Sequence, residues 1–147
     1  MRVVLDTNIL ISACLKPDGL EAQLVSMVLA GTIIMYISPV VWAEYHDVLY
    51  RPKFAALRAK ADEMLTALAA QAIEVTTTET LSAATDEDDN RFLECAHAAN
   101  VNYLITGNLK HYPPEHEATK IVNARQFFTE IESVCGSASP PKITETG

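Results

Sequence analysis

A strand that ends on a carboxylate constrains this chain more than any other feature. Val3, Val4 and Leu5 form an apolar, β-branched run of the kind buried on both faces of a parallel sheet, and the run stops at Asp6. Thr7 and Asn8 supply turn and cap chemistry, and residues 9–15 read as the start of a helix. Asp6 therefore belongs to a β-to-α loop, and in open α/β sheets such loops line the crevice where ligands bind. An isolated charge beside core residues is expensive, so Asp6 must be paired, solvated or bound to a metal.

The rest of the chain repeats the strand-then-helix pattern. Asp18 and Glu21 have the spacing of a capping box, and Leu20, Leu24, Met27 and Val28 follow at helical spacing until Gly31. Residues 33–37 form a second strand. Ser38 as N-cap and Pro39 at the first helical position begin a helix that runs to about Tyr50, ahead of Pro52. Leu57, Ala61, Leu65 and Leu68 mark an amphipathic helix, and Ile73 and Val75 a short third strand. A polar, Thr-rich stretch leads into Asp86, Glu87, Asp88 and Asp89. Phe92, Leu93, Cys95, Ala96 and Ala99 then give a helix capped near Asn100. Residues 103–106 are a fourth strand with a Gly107-Asn108 turn, and residues 120–122 a fifth. Asn123 caps a last helix through Phe127, Phe128, Ile131 and Val134. This alternation predicts an α/β three-layer sandwich, with a central, mostly parallel sheet of about five strands flanked by helices. It predicts one domain over residues 1–135 and a disordered, Ser/Pro/Thr-rich tail over 136–147.

Composition narrows the class. At 147 residues, 49% hydrophobic and 20% charged, the chain suits one globular domain with a real core. The longest apolar stretch, residues 24–37, is interrupted by Ser26, Gly31 and Thr32 and falls short of a bilayer span, so no membrane anchor is expected. No secretion signal precedes the first strand, and Cys14, Cys95 and Cys135 are odd in number and lack CxxC spacing. Both points suggest a cytoplasmic protein with reduced thiols, and the cysteines argue against a zinc site. The formal charge of −8 disfavours holding nucleic acid by bulk charge, yet is compatible with a nuclease whose carboxylates need divalent cations before a phosphodiester can approach.

Three acidic places stand out. Asp6 is the first. Glu44 is the second, because Val40, Val41 and Val48 lie at helical spacing around it and place it on an apolar face. The third is the run from Asp86 to Asp89, which opens a helix and can direct a carboxylate over the sheet's carboxyl edge. Converging, they would form an oxygen-rich cage suited to Mg²⁺ or Mn²⁺ and to metal-dependent hydrolysis. Each also has a plainer structural reading: Asp6 as a turn cap, Glu44 as a snorkelling or ion-paired residue, and the Asp run as ordinary charge at a helix N-terminus. His46, His97 and His111 read as surface or packed residues rather than ligands, and Trp42 as core or interface.

Four blocks then resemble a known family. Asp6-Thr7-Asn8 after its strand, Ser38-Pro39 through Trp42 to Glu44, Asp86 through Asp89 to Phe92, and Thr106-Gly107-Asn108 before Lys110 are similar, in that order, to PIN-domain proteins. The nearest likeness is to toxin components of bacterial toxin-antitoxin systems, relatives of the VapC ribonucleases. The resemblance spans residues 1 to about 134. It implies a single-stranded RNA endonuclease that uses Mg²⁺ or Mn²⁺. Asp6, Glu44 and Asp89 match the family's first three acids, Asp86 is a supporting member of its block, and Asn8 and Thr106 match polar residues beside the metal. Where many members carry a fourth acid, this chain has Asn108, whose neutral carbonyl attracts a cation less.

Lys110, His111, Arg91 and Arg51 are candidates for RNA phosphate, though they form no continuous patch and solvated surface charge is the stronger reading for each. The resemblance also implies a homodimer and an antitoxin protein that blocks the acidic groove. The alternative function, prompted by Asn108, is a PIN-fold RNA-binding or regulatory module with weak or lost catalysis. A third class, a phosphotransfer receiver or aspartyl phosphatase with Asp6 as nucleophile, lacks the accompanying acids: the phosphatase pattern wants an Asp where this chain has Asn8.

Overall fold

The computed structural model describes residues 1–138, with side chains described as far as Ser133. Six strands and, among the described residues, six α-helices alternate along the chain. They are β1 (Arg2–Leu5), α1 (Thr7–Leu15), α2 (Leu20–Leu29), β2 (Ile34–Ile37), α3 (Pro39–Leu49), α4 (Arg58–Gln71), β3 (Ile73–Glu74), α5 (Glu87–Ala99), β4 (Tyr103–Ile105), β5 (Glu115–His116), β6 (Thr119–Val122) and α6 (Ala124–Ala138). Short 3₁₀ turns occupy Pro52–Leu57 and Leu109–His111. The sheet order is β3-β2-β1-β4-β6-β5, parallel throughout except for the β5–β6 pair.

The apolar run at the N-terminus behaves as a strand covered on both faces must. Val3, Val4, Leu5, Leu104 and Ile105 are all fully buried, each contributing roughly 1.5–3 kcal/mol by leaving water. β1 pairs with β2 on one side and β4 on the other, so the sheet grows outward in both directions from β1. The strand order therefore reverses beside β1, and α/β sheets open a crevice at such a point above the strands' carboxyl ends. Each helix that follows a strand begins at that same edge, so the N-termini of α1, α3 and α5 gather there with their partial positive charge.

Local signals mostly specify the ends of the elements. The Ser38 hydroxyl accepts a 3.2 Å bond from the Val41 amide, with Pro39 at the first helical position. Asn123 and Gln126 form a reciprocal capping box at the start of α6, with bonds of 2.7 and 2.9 Å. Asn100 closes α5 in the left-handed conformation, at φ 50°.

Several expectations are corrected. α1 begins at Thr7 rather than Ile9, so Asn8 lies inside its first turn and Asp6 holds the N-cap position without capping through its side chain. The Asp18-Glu21 spacing is not a working box: Gly19 is the cap of α2, and no side chain bonds the first-turn amides. The expected, mostly parallel sheet of about five strands is present with one addition: residues 115–116 fold back on β6 as an antiparallel edge that two residues are too few to signal. α6 runs on to Ala138, and the remainder of the expected tail, residues 139–147, lies outside the described residues. Among the described residues no helix is long and apolar enough to cross a membrane.

Tyr45 ties α3 to the strand end that carries Asp6. Its ring is fully buried, and its hydroxyl donates a 2.6 Å bond to the Leu5 carbonyl. Tyr45→Phe strands that carbonyl, and urea unfolding should show a loss of about 1–2 kcal/mol with an unchanged slope.

Candidate active site

Asp6 is 4% exposed at the end of β1, its amide bonded to the Ile105 carbonyl of β4. Two hydroxyls fix the same carboxylate oxygen. Thr106 Oγ1 donates to Oδ2 at 2.9 Å, and Tyr112 Oη donates to Oδ2 at 3.0 Å. Thr106 is fully buried and in turn accepts the Asn108 amide at 3.0 Å, so the loop after β4 is folded around this hydroxyl. Asn8 joins the two loops from the other side: its Oδ1 accepts the Gly107 amide at 2.8 Å. A Cβ on residue 107 would stand 3.2 Å from that oxygen, which is why glycine suits the position.

Asp89 reaches the same crevice from the first turn of α5. It is buried, and its Oδ2 lies 3.2 Å from His111 Nδ1. Tyr112 also feels the charge of Asp89, so its phenol is influenced by two carboxylates. Burial, then the charges of Asp6 and Asp89, push the Tyr112 phenol far above its usual range, so it stays a donor at any working pH.

Glu44 approaches from α3, and its charge is felt by neither Lys nor Arg at ion-pairing distance among the described residues. Its surroundings differ from the expected apolar face. Val41 and Val48 are buried, but Val40 is about half exposed, so the apolar face is narrower than the spacing suggests.

All three acids hold protons more tightly than usual, and burial is the leading cause in each. For Asp6, the bonds from Thr106 and Tyr112 offset part of the rise. Asp89 is pushed up to about 6 by burial, then by the negative charges of Asp6 and Asp86, with His111 opposing. Glu44 is raised by burial, then by Asp88, Asp47 and Asp6, with Arg51 opposing. Negative charge is therefore concentrated here with no Lys or Arg at ion-pairing distance among the described residues, a demand that a cation would meet.

The donors are all oxygen, which suits hard cations. Asp6, Glu44 and Asp89 do not, however, bring ligand atoms within 4.8 Å of one another as a set. What links them is charge: Asp6 raises both Asp89 and Glu44. Asp86 is exposed and its Oδ1 caps α5 by accepting the Asp88 amide at 2.9 Å, so its influence on Asp89 is through charge.

With that geometry in place, the comparisons with known proteins are decisive. The family model described as PIN domain matches residues 2–110. The chain belongs to the PIN-domain family. This PIN domain is 27% identical over 144 residues to Uncharacterized protein MJ1680 of Methanocaldococcus jannaschii, covering 90% of this chain and 92% of the relative. Its fold is that of a chain in the crystal structure of VapBC2 from Rickettsia felis, bound to a DNA fragment from their promoter. The TM-score is 0.53 at 22% identity, over 75% of this chain and 90% of the other.

The fold thus gathers Asp6, Asn8, Asp89, Thr106 and Asn108 at the edge of the PIN domain, with Glu44 and Asp86 contributing charge. Lys110 is exposed on the 3₁₀ turn. Arg91 is committed to Glu94 at 2.8 Å, and Arg51 to Asp47 at 3.1 Å, so neither is a free phosphate hook. Sequence reasoning missed Tyr112 as a partner of Asp6 and read His111 as surface. Both lie beyond the matched residues 2–110, and nothing local marks them.

Asp89 gives this site a pH signature. Its folded value of about 6 exceeds the ordinary 3.8, so the native chain binds this proton more tightly than the unfolded chain does. The associated stability is present below about pH 4 and is lost as pH rises through 6. In chelator, the melting temperature of Asp89→Asn minus that of the parent chain should grow between pH 4 and 6.5 and then level off. A difference that stays flat over this range contradicts the assigned environment.

Proposed function

We propose that residues 1–135 form a metal-dependent endoribonuclease domain that hydrolyses phosphodiester bonds of single-stranded RNA, as the cytoplasmic toxin of a toxin-antitoxin pair. The observation that best supports this reading is the mutual charge effect among Asp6, Glu44 and Asp89, none of them paired to a Lys or Arg among the described residues, near the edge where the strand order reverses. Membership of a family whose members are typically nucleases supports it.

Asp6, Glu44 and Asp89 would hold Mg²⁺ or Mn²⁺, and Asp86, already engaged as a helix cap, would add charge. A bound divalent cation supplies Lewis acidity and neutralises charge that grows on the phosphodiester. The chain's own groups prepare for this. Thr106 and Tyr112 fix the Asp6 carboxylate from two sides, and His111 orients Asp89. Asn8 pins the β1 and β4 loops together, so the carboxylates keep their separation. Lys110 stands exposed on the turn after Asn108, where it can meet an RNA phosphate. At a formal charge of −8, RNA is repelled until cations load the crevice, so binding as well as reaction depends on metal.

The partner is an antitoxin protein covering the acidic groove and the active species is a homodimer, as the resemblance to toxin components implies. A second reading is favoured by Asn108. It stands beside Thr106 through its backbone amide but brings a neutral side chain to the fourth acidic position, which suits an RNA-binding module of weak activity.

Incubation of the purified chain with single-stranded RNA should give cleavage only with Mg²⁺ or Mn²⁺. Asp6→Asn should lower the rate by at least roughly 100-fold, since even residues behind metal ligands are worth about 10–100-fold. Cleavage that survives excess chelator discards the mechanism. An inert parent chain that gains metal-dependent cleavage with Asn108→Asp selects the second reading.

A further inference from the structure

Three donors stand together at the opposite end of α5. His97 Nδ1 lies 3.1 Å from His116 Nε2 and 3.5 Å from Glu117 Oε2, and the latter two are 3.8 Å apart. Among the described residues this trio brings three such ligand atoms within 4.8 Å of one another. The edges have the size of a coordination polyhedron. Bonds of 2.0–2.1 Å in a tetrahedral zinc site place neighbouring donors roughly 3.3 Å apart.

Protons alone serve this cluster poorly. The other nitrogen of His97, Nε2, is 3.1 Å from Glu79 Oε2, which only accepts, so Nε2 carries the hydrogen. In the neutral ring Nδ1 is then a bare lone pair, and it faces the equally bare Glu117 carboxylate. Without a metal, a His116 Nε2–H can serve His97 Nδ1 at 3.1 Å, which leaves the Glu117 carboxylate 3.5 and 3.8 Å from the two ring nitrogens. A cation among Nδ1, Nε2 and Oε2 satisfies all three lone pairs, while Glu79 becomes the carboxylate that orients a ligating imidazole. Glu117 is held for this at a cost. It occupies the first of two residues linking β5 to β6, at φ 52°, a position that glycine usually fills in tight hairpins. The histidine side chains are 21% and 19% exposed, so the donors are partly desolvated yet open on one side.

We propose that His97, His116 and Glu117 form a binding site for a divalent transition metal of the zinc class, with Glu79 as positioning residue and one coordination position left to water. Imidazole donors favour Zn²⁺ and its neighbours over Mg²⁺, so the site is chemically distinct from the carboxylate crevice. It gives His97 a ligand's role in place of the expected surface or packed one. The cysteines do not make a zinc site here; the histidines do. The bound metal fastens the β5–β6 hairpin and the Glu79 loop to the end of α5. None of this depends on the nuclease reading.

The test uses the full-length chain without an affinity tag, stripped by chelator and titrated calorimetrically with Zn²⁺ and separately with Mg²⁺. One Zn²⁺ should bind per chain, and binding should survive in Asp6→Asn/Asp89→Asn. Affinity should fall at least about 100-fold in His116→Gln and about 10–100-fold in Glu79→Gln. Co²⁺ in the parent chain should give the intense visible bands of a tetrahedral site. The proposal is overturned by a weak octahedral Co²⁺ spectrum, by Zn²⁺ binding unchanged in His116→Gln, or by a stoichiometric site that disappears with the crevice acids.

Discussion

Carboxylates crowded at a poorly hydrated sheet edge are the condition to which the rest of this structure responds. Burial is the largest influence on Asp6, Asp89 and Glu44 alike, and their mutual charges come after it. The compensation is short-range and dipolar: two hydroxyls on one oxygen of Asp6, an imidazole beside Asp89, and three helix N-termini facing the same edge. Among the described residues no ammonium or guanidinium forms an ion pair with these three acids. A fold that needed only stability would place a Lys or Arg here, because pairing a buried carboxylate costs far less than leaving it with dipoles alone.

How much of this was legible in the sequence follows from the range of each interaction. Features set within a few residues could be read directly: Val3 to Asp6 as a buried strand ending on an acid, Ser38-Pro39 as a helix start, and Asn100 and Asn123 as caps. Where two local readings competed, the tertiary contact decided. Asn8 has the chemistry of a cap, but Gly107, brought alongside by the pairing of β1 with β4, claims its side chain. Asp18 and Glu21 have the spacing of a capping box, yet the helix starts one residue too late to use it.

The least legible features were those that join distant parts of the chain. Tyr112 meets Asp6 across 106 positions, and Thr106 meets it across 100. Thr106 was recoverable because it ends a recognisable strand. Tyr112 follows a 3₁₀ turn of three residues with no periodicity to announce it. The trio of His97, His116 and Glu117 was hidden for the same reason, since a two-residue antiparallel edge supplies two of its three donors.

These long-range links make the crevice a product of complete folding, which has a thermodynamic consequence. The unfolded chain has no means of holding Asp6 beside Tyr112 or Asp89 beside His111, so a cation that recognises the assembled acids binds the native state selectively and stabilises it by mass action. The charge repulsion that weakens the fold near neutral pH is thus the quantity that a bound cation would relieve. α5 links this to the opposite end of the molecule. Asp89 lies in its first turn and His97 eight residues on, roughly 12 Å at the helical rise of about 1.5 Å per residue. A helix is stiff over that length, so securing its C-terminal end to the β5–β6 hairpin also limits how far its acidic N-terminal end can swing under repulsion from Asp6.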